Sequence, residues 1–136
     1  MSMNTAILLL GTNLGNKNNN LDIAKSLINT EIGEIIRISN ILENEAEGFT
    51  SSNTFLNQKL EIKTFLSPIK LLEVIKIIEY KMGRQYSKPL EGENFIDRLI
   101  DIDILEFNNL HFNSSTLTIP HHQLVTRSFL KYLCFF

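Results

Sequence analysis

The alternation of apolar and polar positions along the chain predicts the elements in order. Residues 5–10 form a continuous apolar run, short enough for a strand buried on both faces, and turn formers from Gly11 to Asn16 end it. Leu21, Ala24, Leu27 and Ile28 recur at helical spacing, which predicts a helix over 21–30 that one of Asn18, Asn19 or Asn20 could cap. A strand is expected over 35–42, a long polar loop over 43–54, and a further strand over 55–64. Ser67-Pro68 then opens a helix whose stripe of Leu71, Leu72, Val74, Ile75, Ile78 and Met82 ends at Gly83. A second long polar loop covers 84–97. After it, residues 98–107 alternate about their centre, with Ile100, Ile102 and Ile104 on one face of a strand and Asp101 and Asp103 on the other. A turn at Asn108-Asn109 suggests a hairpin partner for that strand over 110–112. Pro120 breaks the segment 116–119, and 123–136 is loosely helical. The order β-α-β-β-α-β predicts an α+β fold, a ferredoxin-like α/β sandwich with a mainly antiparallel sheet and two long mobile loops.

Composition narrows the class without naming an activity. The 136 residues, 43% hydrophobic and 21% charged, suit a single domain (1–136) with a real core. A net charge of −2 argues against nucleic-acid binding by bulk electrostatics, so any anion must meet a local cluster of Arg and Lys. One cysteine, Cys134, cannot form an internal disulfide, which fits the cytoplasm, and no apolar run reaches membrane-spanning length.

The chemistry concentrates on the acidic strand. Asp101 and Asp103 stand roughly 7 Å apart along a strand and repel unless a cation lies between them. Oxygen ligands suit a hard dication, Mg²⁺ above all; a solvated acidic face is the plainer alternative. Arg84 and Arg98 bracket the second loop and Arg127 follows His121-His122, a set suited to phosphate oxygens or to a soluble surface. Two adjacent histidines without nearby cysteines make a poor zinc site. Phe55, Phe95 and Phe129 could sandwich a flat heterocycle while Asn57 reads its edge; ordinary core is the alternative for each phenylalanine. Gly11 and Gly15 lack the spacing of a phosphate-binding loop, and Gly11 reads as a tight turn.

Five segments together resemble the 6-hydroxymethyl-7,8-dihydropterin pyrophosphokinase family of folate biosynthesis. They are Leu10-Gly11-Thr12-Asn13-Leu14-Gly15, Phe55-Leu56-Asn57, Ile78-Glu79 with Gly83-Arg84, Arg98 through Leu105, and Leu117-Thr118-Ile119-Pro120-His121 with Arg127-Ser128-Phe129. The resemblance implies transfer of pyrophosphate from ATP to a hydroxymethyl dihydropterin, leaving AMP. It implies two Mg²⁺ ions on Asp101 and Asp103, with Arg84 and Arg98 acting at the transition state. His121, Arg127, Glu79, Ile104 and Thr118 would bind ATP, while Phe55, Asn57, Phe129 and Phe95 would bind the pterin. The expected enzyme is a monomer acting on small molecules, with no nucleic-acid or membrane partner. The sequence departs from the family pattern at Lys76, Tyr86 and Ile96-Asp97, and its C-terminal segment is shorter than usual. A ferredoxin-like module that binds nucleotide without turnover is the alternative reading.

Overall fold

The computed structural model describes residues 2–45, 54–83, 99–114, 117–120 and 128–135. The elements follow in the order β1 (Asn4–Thr12), α1 (Lys17–Glu31), β2 (Gly33–Glu45), β3 (Thr54–Thr64), α2 (Pro68–Lys81), β4 (Asp101–Phe107), β5 (Phe112–Asn113), β6 (Thr118–Ile119) and a 3₁₀ helix (Ser128–Tyr132). Four strands form one sheet in the order β2-β3-β1-β4, with every neighbouring pair antiparallel. Each of the two helices crosses between strands that are not adjacent, which is the expected ferredoxin-like α+β arrangement.

Both helices pack on one sheet face. Leu21, Ala24 and Ile28 of α1 and Leu71, Ile75 and Ile78 of α2 meet Leu8, Leu10, Leu60, Ile62, Ile102 and Ile104 of the sheet. Ser67 caps α2 as expected, its side chain accepting from the Lys70 amide. The α1 cap is Asn16, whose side chain accepts from the Asn19 amide, so the helix starts earlier than its apolar stripe indicated. Asn20 is buried instead, donating to Thr12 Oγ1 and to the Leu14 carbonyl, and thereby ties the β1–α1 turn together.

The opposite face carries a smaller cluster. Leu9, Leu105, Leu130 and Leu133 bury one another there, flanked by Ile7 and Leu42, so the 3₁₀ helix covers part of this face. Leu105 lies on it by plain alternation with Ile102 and Ile104. A β-bulge follows: Leu8 pairs with Ile104 and Ile7 with Glu106, which leaves Leu105 as the extra residue and switches Phe107 to the helix side. The segment after β4 does not become its hairpin partner. Asn108 continues the ladder, its amide donating to the Thr5 carbonyl and its side chain accepting from the Thr5 amide, while β5 pairs with β6. Among the described residues no helix is long and apolar enough to cross a membrane.

Candidate active site

Alternation places the expected residues on the sheet face away from the helices. Asp101 and Asp103 are half-buried there, while Ile102 and Ile104 between and beyond them are in the core. Asp101 stands opposite Gly11 of β1, and Gly11 stands opposite Asn57 of β3. Residues directly opposite share a face, so Asn57, Gly11 and Asp101 form one row across three neighbouring strands. Phe55, two residues from Asn57, lies on the same face.

Gly11 is the gap in that row. It belongs to β1 rather than to a turn, and a Cβ there would stand 3.2 Å from Asn57 Oδ1 and 3.7 Å from the Phe55 ring. The missing side chain leaves a bare strip of strand between an amide and an aromatic ring on one side and two carboxylates on the other. Asn57 is 3% exposed, and its Nδ2 donates to Asn44 Oδ1 at 2.6 Å. Asn44 therefore orients the amide that would read a heterocycle. Nothing local in the sequence marks Asn44, because its partner lies on another strand.

β4 is a sheet edge, and Glu79 of α2 reaches it. Its carboxylate, 3% exposed, accepts from the Ile102 amide at 2.9 Å. That amide points away from β1. By strand alternation the backbone of Ile104 also faces the outer edge, while its side chain fills the core. Thr118 lies on the β5–β6 hairpin and donates to Asn113 Oδ1. Phe129 belongs to the 3₁₀ helix by its backbone, and its side chain falls outside the described residues. Arg84, Phe95, Arg98, His121 and Arg127 also lie outside them.

Leu99 nevertheless fixes both ends of the span 84–98. The α2 helix stops at Gly83, which has φ +98°, and the β1–α1 turn holds Gly15 at φ +68°, where an L side chain would be strained. A Cβ on either glycine would touch Leu99 at 3.7 Å. The chain therefore leaves α2 and re-enters β4 at one place, with Arg84 and Arg98 the residues adjoining these two anchors in sequence.

The donors suit a magnesium ion carried by substrate. Two half-buried carboxylates alternate with core isoleucines on a rigid strand, and Mg²⁺ is usually held by one or two carboxylates plus phosphate oxygens and water. Among the described residues no group of three or more His, Cys, Asp or Glu could hold a metal by protein ligands alone.

The ferredoxin-like sheet presents two carboxylates, an amide and an aromatic ring on one face, and similarity to known proteins defines the class, a transferase acting on a small molecule. Residues 7–134 match the family described as 7,8-dihydro-6-hydroxymethylpterin-pyrophosphokinase (HPPK), and the chain belongs to it. It is a pyrophosphokinase, a transferase of folate biosynthesis that uses ATP as co-substrate. The 2-amino-4-hydroxy-6-hydroxymethyldihydropteridine pyrophosphokinase of Porphyromonas gingivalis is 34% identical over 129 residues, which are 91% of this chain and 84% of that one. The enzyme of the same name from Aquifex aeolicus is 36% identical over 130 residues, covering 96% and 78%. Among solved structures, Plasmodium falciparum HPPK-DHPS wild type with STZ-DHP shares the fold, with a TM-score of 0.67 at 19% identity. That match covers 90% of this chain and 37% of the longer one.

Proposed function

We propose that the protein transfers the pyrophosphoryl group of ATP to the hydroxymethyl oxygen of 6-hydroxymethyl-7,8-dihydropterin in a Mg²⁺-dependent reaction. The row of Asn57, Gly11 and Asp101 carries this reading, because it sets a heterocycle-reading amide beside a carboxylate across one bare strand. A bond forms between the hydroxymethyl oxygen and the β-phosphorus, the bond from that phosphorus to the α–β bridging oxygen breaks, and AMP leaves; the hydroxyl proton goes to solvent.

In this reading Phe55 and Phe129 stack the pterin, Asn57 reads its edge from the position Asn44 sets, and Phe95 joins them. Asp101 and Asp103 hold the metal. Mg²⁺ held there would supply the positive charge that offsets the triphosphate. Arg84 and Arg98 adjoin the two anchors at Leu99 and stabilise charge on the transferring group. His121 and Arg127 bind phosphate, Thr118 adds a hydroxyl, and Ile104 offers its outward backbone to the base or sugar. Glu79 completes the nucleotide side, with one carboxylate oxygen fixing Ile102 and hence the strand between the two aspartates. The enzyme is a monomer in this reading, and its single cysteine fits a cytoplasmic location.

The test is AMP formation from ATP with and without the pterin and Mg²⁺, in wild type and in Asp101→Ala/Asp103→Ala. The wild type is expected to form AMP only with both present, and the double variant to lose at least about 10²-fold in kcat, as for other removed charge stabilisers. AMP formation in the double variant at the wild-type rate would sink the assignment. Nucleotide binding without any turnover by wild type would favour the non-catalytic module.

A further inference from the structure

The functional reading leaves unexplained a dense set of polar contacts on the β2 edge, at the far side of the sheet from Asp101. Between Ile38, paired with Leu60, and Ile41, paired with Gln58, two residues of β2, Ser39 and Asn40, oppose the single Lys59. The bulge is fixed from inside. Ser39 is buried, its Oγ accepts from the Lys59 amide, and its carbonyl accepts from Gln58 Nε2. Its effect is to turn Asn40 outward from the ladder.

Asn40 commits its side chain and its backbone amide to one short segment. Its side-chain oxygen accepts from the Cys134 amide at 2.8 Å, its Nδ2 donates to the Tyr132 carbonyl at 3.0 Å, and its backbone amide donates to the Cys134 carbonyl at 3.4 Å. One residue on, Ser39 and Phe135 form an antiparallel bridge. The Phe135 ring then lies against two cations, with Arg37 Cζ 4.4 Å and Lys59 Nζ 4.7 Å from its centroid. At the other end of the segment Leu130 and Leu133 enter the small cluster with Leu9 and Leu105. The 3₁₀ helix between these anchors includes Phe129.

We propose that Asn40 is a positioning residue for the pterin. By gripping residues 132–134 it fixes the rotation and height of the 3₁₀ helix, whose Leu130 enters the cluster flanked by Leu42, the residue opposite Asn57, and so sets the backbone of Phe129. This rests on the function proposed above. A short 3₁₀ helix holds no register by itself, since its hydrogen bonds are few and poorly aligned. Leucines in a small cluster fix depth but tolerate sliding, whereas paired donor and acceptor contacts to one asparagine allow a single register.

Asn40→Ala and Asn40→Asp are compared with wild type in the full chain. Three readouts are taken: affinity for 6-hydroxymethylpterin in the presence of a non-hydrolysable ATP analogue, affinity for the analogue alone, and tryptic cleavage after the exposed Lys131. Asn40→Ala is expected to weaken pterin binding about tenfold, near 1.4 kcal/mol, to leave analogue binding within about twofold, and to speed cleavage. Asn40→Asp, which keeps the acceptor for Cys134 and loses the donor to Tyr132, is expected to fall between, and it carries the test if Asn40→Ala does not fold. Faster cleavage with unchanged pterin affinity would overturn the proposal, as would equal losses for both ligands together with a lower unfolding midpoint. Unchanged cleavage would overturn the clamp itself. A wild type that binds the analogue and no pterin would instead overturn the functional reading, and the role of Asn40 with it.

Discussion

At the scale of single residues, Gly11 acts by having no side chain. The space above β1 is bounded by the Asn57 amide and the Phe55 ring, and a methyl group at position 11 would enter contact range of both. Gly11→Ala is therefore expected to raise KM for the pterin about tenfold, the scale of a sub-ångström misplacement of a bound reactant, and to leave the unfolding midpoint nearly unchanged. Steady-state kinetics beside thermal melts check this; an unaltered KM would show that the substrate does not lie on this strip. Asp101 and Asp103 were legible in the sequence because their signal is local: isoleucines alternate with them, and the strand period does the rest. Asn57 was legible as a type of side chain, but Asn44, which aims it, belongs to a strand whose pairing no local pattern reveals.

Among the elements, α2 and β3 match their expected bounds closely, β4 begins at Asp101 rather than at 98, with Leu99 and Ile100 outside the strand, and the other departures have physical causes. The α1 helix begins at Lys17 because Asn16 can accept from the first turn, a role the asparagine run made ambiguous. The strand expected over 35–42 extends to Gly33–Glu45 because two bulges let it follow β3 while its side chains break alternation. Residues 110–112 do not pair with β4: the chain turns at Asn108, at φ 49°, which still bonds Thr5 of β1, and Phe112–Asn113 then pairs with β6. Between β2 and β3 an exposed pair is also testable. Arg37 hydrogen-bonds Glu61 through two nitrogens, and that bond, more than the opposing burial, lowers the Glu61 carboxyl below its ordinary 4.5. A carboxyl lowered on folding adds stability above its unfolded value and loses it as pH falls through the folded one. The stability difference between wild type and Glu61→Gln should thus be constant at neutral pH and shrink in acid, read from melts across pH. A difference growing in acid would contradict the pairing.

The whole molecule uses its sheet asymmetrically. One face is wholly committed to the helices, and the other is divided between the site and the small cluster under the 3₁₀ helix. The cluster is part of the same sheet that carries the row of Asn57, Gly11 and Asp101, so the 3₁₀ helix is at once a lid on leucines and a neighbour of the site. Leu133 is fully within this cluster. Leu133→Ala should cost about 2–5 kcal/mol of unfolding free energy, the range for leucine truncation in a packed core, measured by urea titration. A loss well under 1 kcal/mol would mean that the cluster collapses freely and cannot locate the helix. This division was not legible beforehand, because the loosely helical pattern of 123–136 gives no hint of which face it covers.

The meeting of Gly83, Gly15 and Leu99 bears on how such a protein can vary in descent. A span whose ends are already pinned together pays little for added length, since each doubling of a closed loop costs only about 0.6 kcal/mol. Residues 84–98 can therefore gain or lose sequence between lineages while the strand bearing Asp101 stays where it is. Insertions and deletions should accumulate in this stretch, whereas positions 15, 83 and 99 should resist exchange.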